Sequence, residues 1–222
     1  MHIGLIGGIG PAATDLYYRG LVDAMKALGA ELEMTIVHAD AATLVRNFEA
    51  KQPQVQAAIY LRLTERLVAA GAEVVAITSI GGHFCIEEFR PLSPLPIIDF
   101  VAEMDRFLAR QTFAKVGLLG TDTVMETRFY GGIKSTEVLV PPPDVIAKVH
   151  RAYVDMAINA RVTEEQRTVM FEAGRALTEQ GAETVLLGGT DLFLVFDGHD
   201  PGFATLDCAT VHIDAIASMA SR

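Results

Sequence analysis

The sequence predicts an α/β fold of two pseudo-symmetric Rossmann-like lobes, each a mainly parallel sheet flanked by helices, with a ligand cleft between them. Three observations predict it. Short apolar runs alternate with long helix-patterned segments, the order of a parallel sheet whose crossovers are helices. The alternation passes along the chain twice. Pieces of the first pass return in the second: His2-Ile-Gly-Leu-Ile-Gly7 resembles Lys115-Val-Gly-Leu-Leu-Gly120, 113 residues on, and Gly71-Ala-Glu-Val-Val75 resembles Gly181-Ala-Glu-Thr-Val185, 110 residues on. An apolar strand ending in glycine is common in α/β proteins, so the echo is an expectation for the structure to test. If it holds, Ser79 and Gly189 are equivalent positions.

In the first pass, strands are expected at residues 2–8, 33–40 and 72–79, with helices over Pro11 to Leu28, Pro53 to Ala70 and His83 to Phe89. In the second, strands fall at 115–120, 136–141 and 182–189, with helices near Val124 to Tyr130, Pro143 to Asn159 and Thr163 to Gln180. Cys208 to Met219 reads as a closing helix. One lobe is therefore expected at residues 1–98 with 208–222 returning to it, and the other at 99–207.

Half of the 222 residues are hydrophobic, enough for a buried core, and the net charge is -10. That charge, with no basic stripe, argues against nucleic acid as a partner. A small anion remains possible, because a few local donors can outweigh global charge. Two cysteines, Cys85 and Cys208, are too few for a disulfide framework, and the chain opens on a strand-like run, so it reads as cytoplasmic. No apolar stretch approaches the roughly 20 residues of a membrane span, and Val74 to Ile80 reads as a buried strand.

In open parallel sheets, ligands bind beyond the carboxyl ends of the strands, where helix N-termini present unpaired N–H groups. Four loops fall there. The first, Gly7-Gly-Ile-Gly-Pro-Ala-Ala-Thr14, has glycines that let backbone approach a ligand and a proline suited to a first helical turn. A carboxylate or phosphate would fit, and so would a plain tight turn. Its Gly8-x-Gly10-x-x-Ala13 spacing also matches a dinucleotide fingerprint, with Asp40 as the ribose-binding acid, which keeps an NAD(P)-binding reductase as an outside alternative.

The second loop, Thr78-Ser-Ile-Gly-Gly-His83, is a candidate anion-binding nest, with Ser79 at the strand tip and a neutral His83 at the helix start. His83 serves equally well as a structural hydrogen-bonding residue. The third, Gly120 to Thr127, carries hydroxyls before a helix, and N-capping is the simpler reading of Thr123. The fourth, Gly188-Gly-Thr-Asp191, offers Thr190 as a donor and Asp191 as a carboxylate that orients an amine or caps a helix. Arg46 is placed to clamp a carboxylate, with Arg161 a second candidate, although either reads equally as an exposed arginine. Cys85 and Cys208 read as small buried hydrophobes.

At these loops the chain resembles the cofactor-independent aspartate/glutamate racemase family. The resemblance is carried by Gly7 to Thr14 with Tyr17-Tyr-Arg19, by Gly71 to Val75, by Val116 to Thr121 with Tyr130, by Val149-His-Arg151, by Gly188 to Asp191, and by Asp207 to His212. It implies paired α/β lobes, a homodimer, a small carboxylate or amino-acid ligand, and no metal, pyridoxal phosphate or other cofactor. The family moves the substrate's α-proton with two opposed cysteines, whose tuned thiols suit base and acid roles near neutrality.

Here both cysteines are substituted. Ser79-Ile-Gly-Gly-His83 stands where the family has Cys-Asn-Thr-x-His, and Gly188-Gly-Thr-Asp191 stands where it has Gly-Cys-Thr-Glu. The two-thiol mechanism therefore cannot operate with these residues. The resemblance makes Ser79 and Gly189 the catalytic positions; His83 and Asp191 are candidate acid/base groups, and Gly8, Ile9, Thr14, Arg46, Ile80, Gly81, Thr121, Thr190 and Arg161 are candidate ligand contacts. Three readings follow: an amino-acid racemase or isomerase using other groups, a divergent lyase, decarboxylase or isomerase, and a catalytically silent carboxylate binder.

Overall fold

The computed structural model describes residues 1–159 and 161–221. In chain order its elements are β1 (His2–Gly7), α1 (Pro11–Ala27), β2 (Glu33–His38), α2 (Ala41–Glu49), α3 (Pro53–Ala69), β3 (Val74–Ile77), a 3-10 turn (Gly81–Cys85) running into α4 (Ile86–Phe89), and α5 (Phe100–Gln111). There follow β4 (Lys115–Gly120), α6 (Asp122–Glu126), β5 (Glu137–Leu139), α7 (Pro143–Asn159), α8 (Glu164–Glu179), β6 (Thr184–Gly188), α9 (Phe193–Phe196), β7 (Thr205–Asp207) and α10 (Cys208–Ala220). Two compact units result: Met1–Phe100 with Ala209–Arg222, and Val101–Cys208.

The first unit is built on a parallel sheet in the order β2-β1-β3, and Ile97 adds a parallel bridge to Val75 on the outer side of β3. β1 and β3 are buried at every position, as strands covered on both faces must be, whereas the edge strand β2 exposes Glu33, Ile36 and His38. Each large apolar side chain taken fully from water stabilises the unit by about 1.5–3 kcal/mol. Tyr17 and Leu21 of α1, Tyr60 and Leu67 of α3 and Phe89 of α4 are wholly buried.

The second unit repeats the plan. Its parallel sheet runs β5-β4-β6-β7, with β7 lying against Val185 as the Ile97 bridge lies against Val75. The echo extends to single atoms. Gly4 faces Val75 across the sheet and Gly117 faces Val185. A Cβ on Gly4 would stand 2.8 Å from Leu67 Cδ1, and one on Gly117 3.0 Å from Leu177 Cβ, so in each unit a glycine admits a helix leucine onto the central strand. The Glu73 carboxylate accepts from the His2 amide at 2.6 Å, and Glu183 accepts from the Ala114 amide at 2.6 Å. Gly71 (φ 91°) and Gly181 (φ 99°) supply the left-handed residue between helix and strand at both places.

Several boundaries differ from the sequence reading. The helix expected near Val124 to Tyr130 is the shorter α6, because the chain turns with positive φ at Arg128, Phe129 and Tyr130. Thr121, not Thr123, caps it, accepting from the Val124 amide at 3.3 Å. His83 lies inside the 3-10 turn rather than at a helix start. The sequence reading did not predict α2, α5, α9 or β7. By contrast, α7 matches its expected limits, and α8 starts from Thr163 through a reciprocal bond pair with Gln166.

Candidate functional site

The first unit brings its candidates to the ends of β1, β2 and β3. Gly8 takes φ 94°, and a Cβ there would lie 2.7 Å from the Ala39 carbonyl oxygen, so only glycine fits. Its amide donates to Thr14 Oγ1 at 2.8 Å, and that hydroxyl donates to the Gly10 carbonyl at 3.0 Å. Thr14 thus locks the loop. A hollow of about 310 Å³ borders it, lined by Gly8, Pro11, Thr14, Tyr18, Ile36 and His38 among others. Ile9 packs on the apolar core instead.

After β2, Asp40 caps α2: its Oδ1 accepts from the Thr43 amide at 2.7 Å and from the Thr43 hydroxyl at 2.5 Å. The Thr43 bonds hold its carboxyl below the usual range. The acid that a dinucleotide ribose would need is therefore committed to the helix. Arg46 is exposed, and its guanidinium donates to Thr43 Oγ1 at 2.9 Å.

After β3, the turn largely satisfies itself. The Gly82 amide donates to Ser79 Oγ at 3.3 Å and the His83 amide to the Ile80 carbonyl at 2.9 Å, so these two members of the expected nest are occupied. Tyr60 braces the turn by donating to the Gly82 carbonyl at 3.1 Å. Ile80 is buried, while Gly81 is half-buried. His83 Nδ1 lies 2.7 Å from the Ser79 carbonyl and must carry the proton, since a carbonyl only accepts. Ser79 Oγ is thus not the group that His83 Nδ1 serves. His83 Nε2 is left as a buried acceptor without a hydrogen-bond partner among the described residues.

Burial holds His83 below its ordinary pKa. A second buried histidine, His212 of α10, stands in the same unit. Tyr17 OH meets its Nδ1 at 2.8 Å and the Ile98 carbonyl meets its Nε2 at 2.9 Å, which fixes a neutral ring protonated at Nε2. Burial pushes its pKa down to about 3. Phe100 packs edgewise on both rings. The nearby Arg90 pairs with the buried Asp99 at 2.8 Å and with Glu87 at 3.1 Å.

In the second unit, Thr121 follows β4 as a cap, and the Asp122 amide donates to His150 Nδ1 at 3.1 Å. That bond requires an unprotonated Nδ1, so the 3.3 Å approach of the Asp122 carboxylate to the same atom is not an ion pair. Arg161 is exposed ahead of α8, whose first turns reach the segment after β6 through Arg167 Nε and the Val195 carbonyl at 3.2 Å.

At the tip of β6 stands a pair that sequence reading half missed. A Cβ on Gly189 would lie 2.8 Å from Cζ and 3.0 Å from the hydroxyl oxygen of Tyr153, so the tyrosine ring occupies the place of a side chain at 189. Tyr153 OH donates to Asp191 Oδ2 at 3.3 Å. Burial raises the pKa of both groups, and the tyrosine bond only partly offsets this for Asp191. Thr190 is buried beside them. Tyr153 carries no motif: it falls with Val149 and Met156 on the buried face of α7 and reads as core. Of the two thiols, Cys85 Sγ donates to the Gly82 carbonyl of the turn after β3 at 3.7 Å. Cys85 is buried in the first core with its pKa raised to about 12, and Cys208 is buried with its pKa raised by the same cause. No group of three or more His, Cys, Asp or Glu among the described residues is placed to hold a metal. No described helix is long and apolar enough to cross a membrane.

Parallel α/β units with glycine-rich loops at their strand ends define an α/β protein of open, helix-flanked sheets. The sequence profile of the Asp/Glu/hydantoin racemases matches residues 6–216, and the chain belongs to that family. Solved structures share its fold. A Yersinia pestis protein proposed to be an Asp/Glu racemase superposes with a TM-score of 0.88 at 25% identity, over 100% of both chains. An aspartate racemase homologue from Pyrococcus horikoshii gives 0.79 at 22% identity, over 100% of this chain and 99% of that one. Glutamate racemase from Francisella tularensis, solved with D-glutamate, gives 0.65 at 11% identity, over 98% and 80% respectively.

Proposed function

We propose that this protein binds a small carboxylate or amino acid at its strand-end loops and does not racemise it through thiols. The observation that carries the reading is Gly189, whose side-chain space is filled by the Tyr153 ring. At the position matching the family's second cysteine there is neither a thiol nor room for one. At the matching position in the first unit, Ser79 Oγ accepts from a backbone amide, and the adjacent histidine nitrogen bonds its carbonyl. A serine hydroxyl needs an adjacent base to act as one.

In the first unit the contacts proposed for a ligand are the backbone around Gly8 and Ile9 with Thr14, the turn at Ile80 and Gly81, and the Arg46 guanidinium; in the second unit they are the hydroxyls of Thr121 and Thr190 and the Arg161 guanidinium. Arginine suits a carboxylate because its planar fork can donate two parallel bonds. The homodimer and the independence from cofactors are carried over from the resemblance, and the cytoplasmic setting from the low cysteine count. Since the Francisella protein of this fold holds D-glutamate, amino dicarboxylates are the first ligands to try.

Calorimetric titration with L- and D-aspartate, L- and D-glutamate and small diacids tests this. Saturable heat from one of them is expected, and no heat from any of them overturns the reading. The silent-binder alternative keeps the same binding. It is favoured only by the commitment of Thr14, Gly82 and His83 to their own turns.

A further inference from the structure

We infer that Asp191 is the proton-transferring group at the tip of β6 and that Tyr153 is its positioning residue, the two replacing the missing side chain at 189. The inference rests on the binding proposed above and adds the chemistry of that site. The tyrosine oxygen lies 3.0 Å from where a Cβ of residue 189 would stand. The same hydroxyl donates to Asp191 Oδ2 at 3.3 Å. A hydroxylated ring thus enters from α7 into space left by a glycine, and it points its one donor at the only carboxylate of the strand-end loop. Leucine or phenylalanine would fill the volume as well; the tyrosine adds a hydroxyl that donates to the buried Asp191 carboxylate.

Burial also raises the Asp191 carboxyl above its ordinary pKa, and burial keeps Tyr153 neutral as a donor. The groups bearing on the pair are Tyr153 itself from α7 and Tyr130 from the turn after α6.

The step is a proton transfer at the carbon next to a carboxylate. The α C–H bond breaks and its electron pair stays on carbon, delocalised into the adjoining carboxylate. The proton passes to an Asp191 oxygen, forming an O–H bond. Reversal returns a hydrogen to the same face after exchange with solvent. Because the group that takes the proton also gives it back, the ligand keeps its handedness.

The test uses the intact protein in heavy water with L-aspartate, D-aspartate, L-glutamate and D-glutamate, following the α-proton signal by NMR and the enantiomer ratio by chiral chromatography. Deuterium should enter at Cα of a bound amino acid without the opposite enantiomer appearing. Asp191→Asn should slow exchange by roughly 100-fold or more, the scale of a lost general base, with calorimetric affinity kept. Tyr153→Phe keeps the ring against Gly189 and loses only the donor. It should move the pH midpoint of exchange upward, since the bond it removes favours the ionised carboxylate, a readout that packing alone would not shift. Asp191→Glu should recover part of the rate.

Binding without exchange, exchange unaffected by Asp191→Asn, or an unmoved midpoint in Tyr153→Phe would each overturn the inference while leaving the binding proposal standing. Absence of binding to all four amino acids would overturn both.

Discussion

Lowering the pH should destabilise the first unit through its buried histidines, and His212 gives the effect a size. Its ring is neutral in the fold, bonded between Tyr17 OH and the Ile98 carbonyl and packed on Phe100, with its pKa at about 3. In the unfolded chain the same imidazole titrates near about 6.5. Below that value the unfolded state takes up a proton that the folded state refuses. Stability contributed by the neutral ring is therefore present above pH 6.5 and is lost as pH falls toward 3.

Integrated from about pH 7.5 to about pH 5.0, this one group costs about 2 kcal/mol, a large share of a typical domain's stability. His83, also held below its ordinary pKa by burial, adds a loss of the same sign. The assay is urea unfolding at the two pH values, read by pulse labelling of Cys85, which is buried in the same unit. His212→Gln cannot titrate, so the wild type should lose about 2 kcal/mol more than the variant over this interval. Carboxylates elsewhere cancel in the difference. Equal losses in the two proteins would refute the reasoning.

Other perturbations have equally direct readouts. Gly189→Ala should cost roughly 1–3 kcal/mol, because its methyl collides with the Tyr153 ring. Adding Tyr153→Leu should recover part of that loss, and strictly additive effects in urea unfolding would contradict the packing account. Native Cys85 should resist iodoacetamide near neutral pH: with its pKa raised from 9.0 to about 12, its thiolate fraction is about 1,000-fold lower than that of a free thiol, before burial is counted. Rapid labelling of Cys85 in the folded protein would contradict this. Thr163→Ala removes one half of the capping box and should lower stability by about 1 kcal/mol, measured by urea unfolding, with no change in ligand heat.

Much of the scaffold is legible in the sequence because its signals are local and buried on both faces. The largely apolar runs of β1, β3, β4 and β6 read as central strands, and the paired Gly71 and Gly181 mark the same helix-to-strand turn twice. Two of the elements that escaped are short. α9 has four residues and β7 three, too few to show a period. The end of α6 is decided by three successive positive φ values at residues with side chains, which no turn motif announces.

The site divides in the same way. The strand-end places of Ser79, Gly189 and Asp191 are legible in the sequence, whereas Tyr153 reaches Gly189 from a helix 36 residues earlier in the chain. His212 stood among the family pieces, but its bond to the Ile98 carbonyl crosses 114 residues of sequence. Nothing local assigns it a role.

The central claim is that this chain handles a carboxylate without either of its thiols, and enantiomer analysis tests it most directly. L-aspartate and D-aspartate, incubated separately with stoichiometric protein, should each keep their optical purity on chiral chromatography. The appearance of the opposite enantiomer, lost again in the Cys85→Ala, Cys208→Ala protein, would contradict the account.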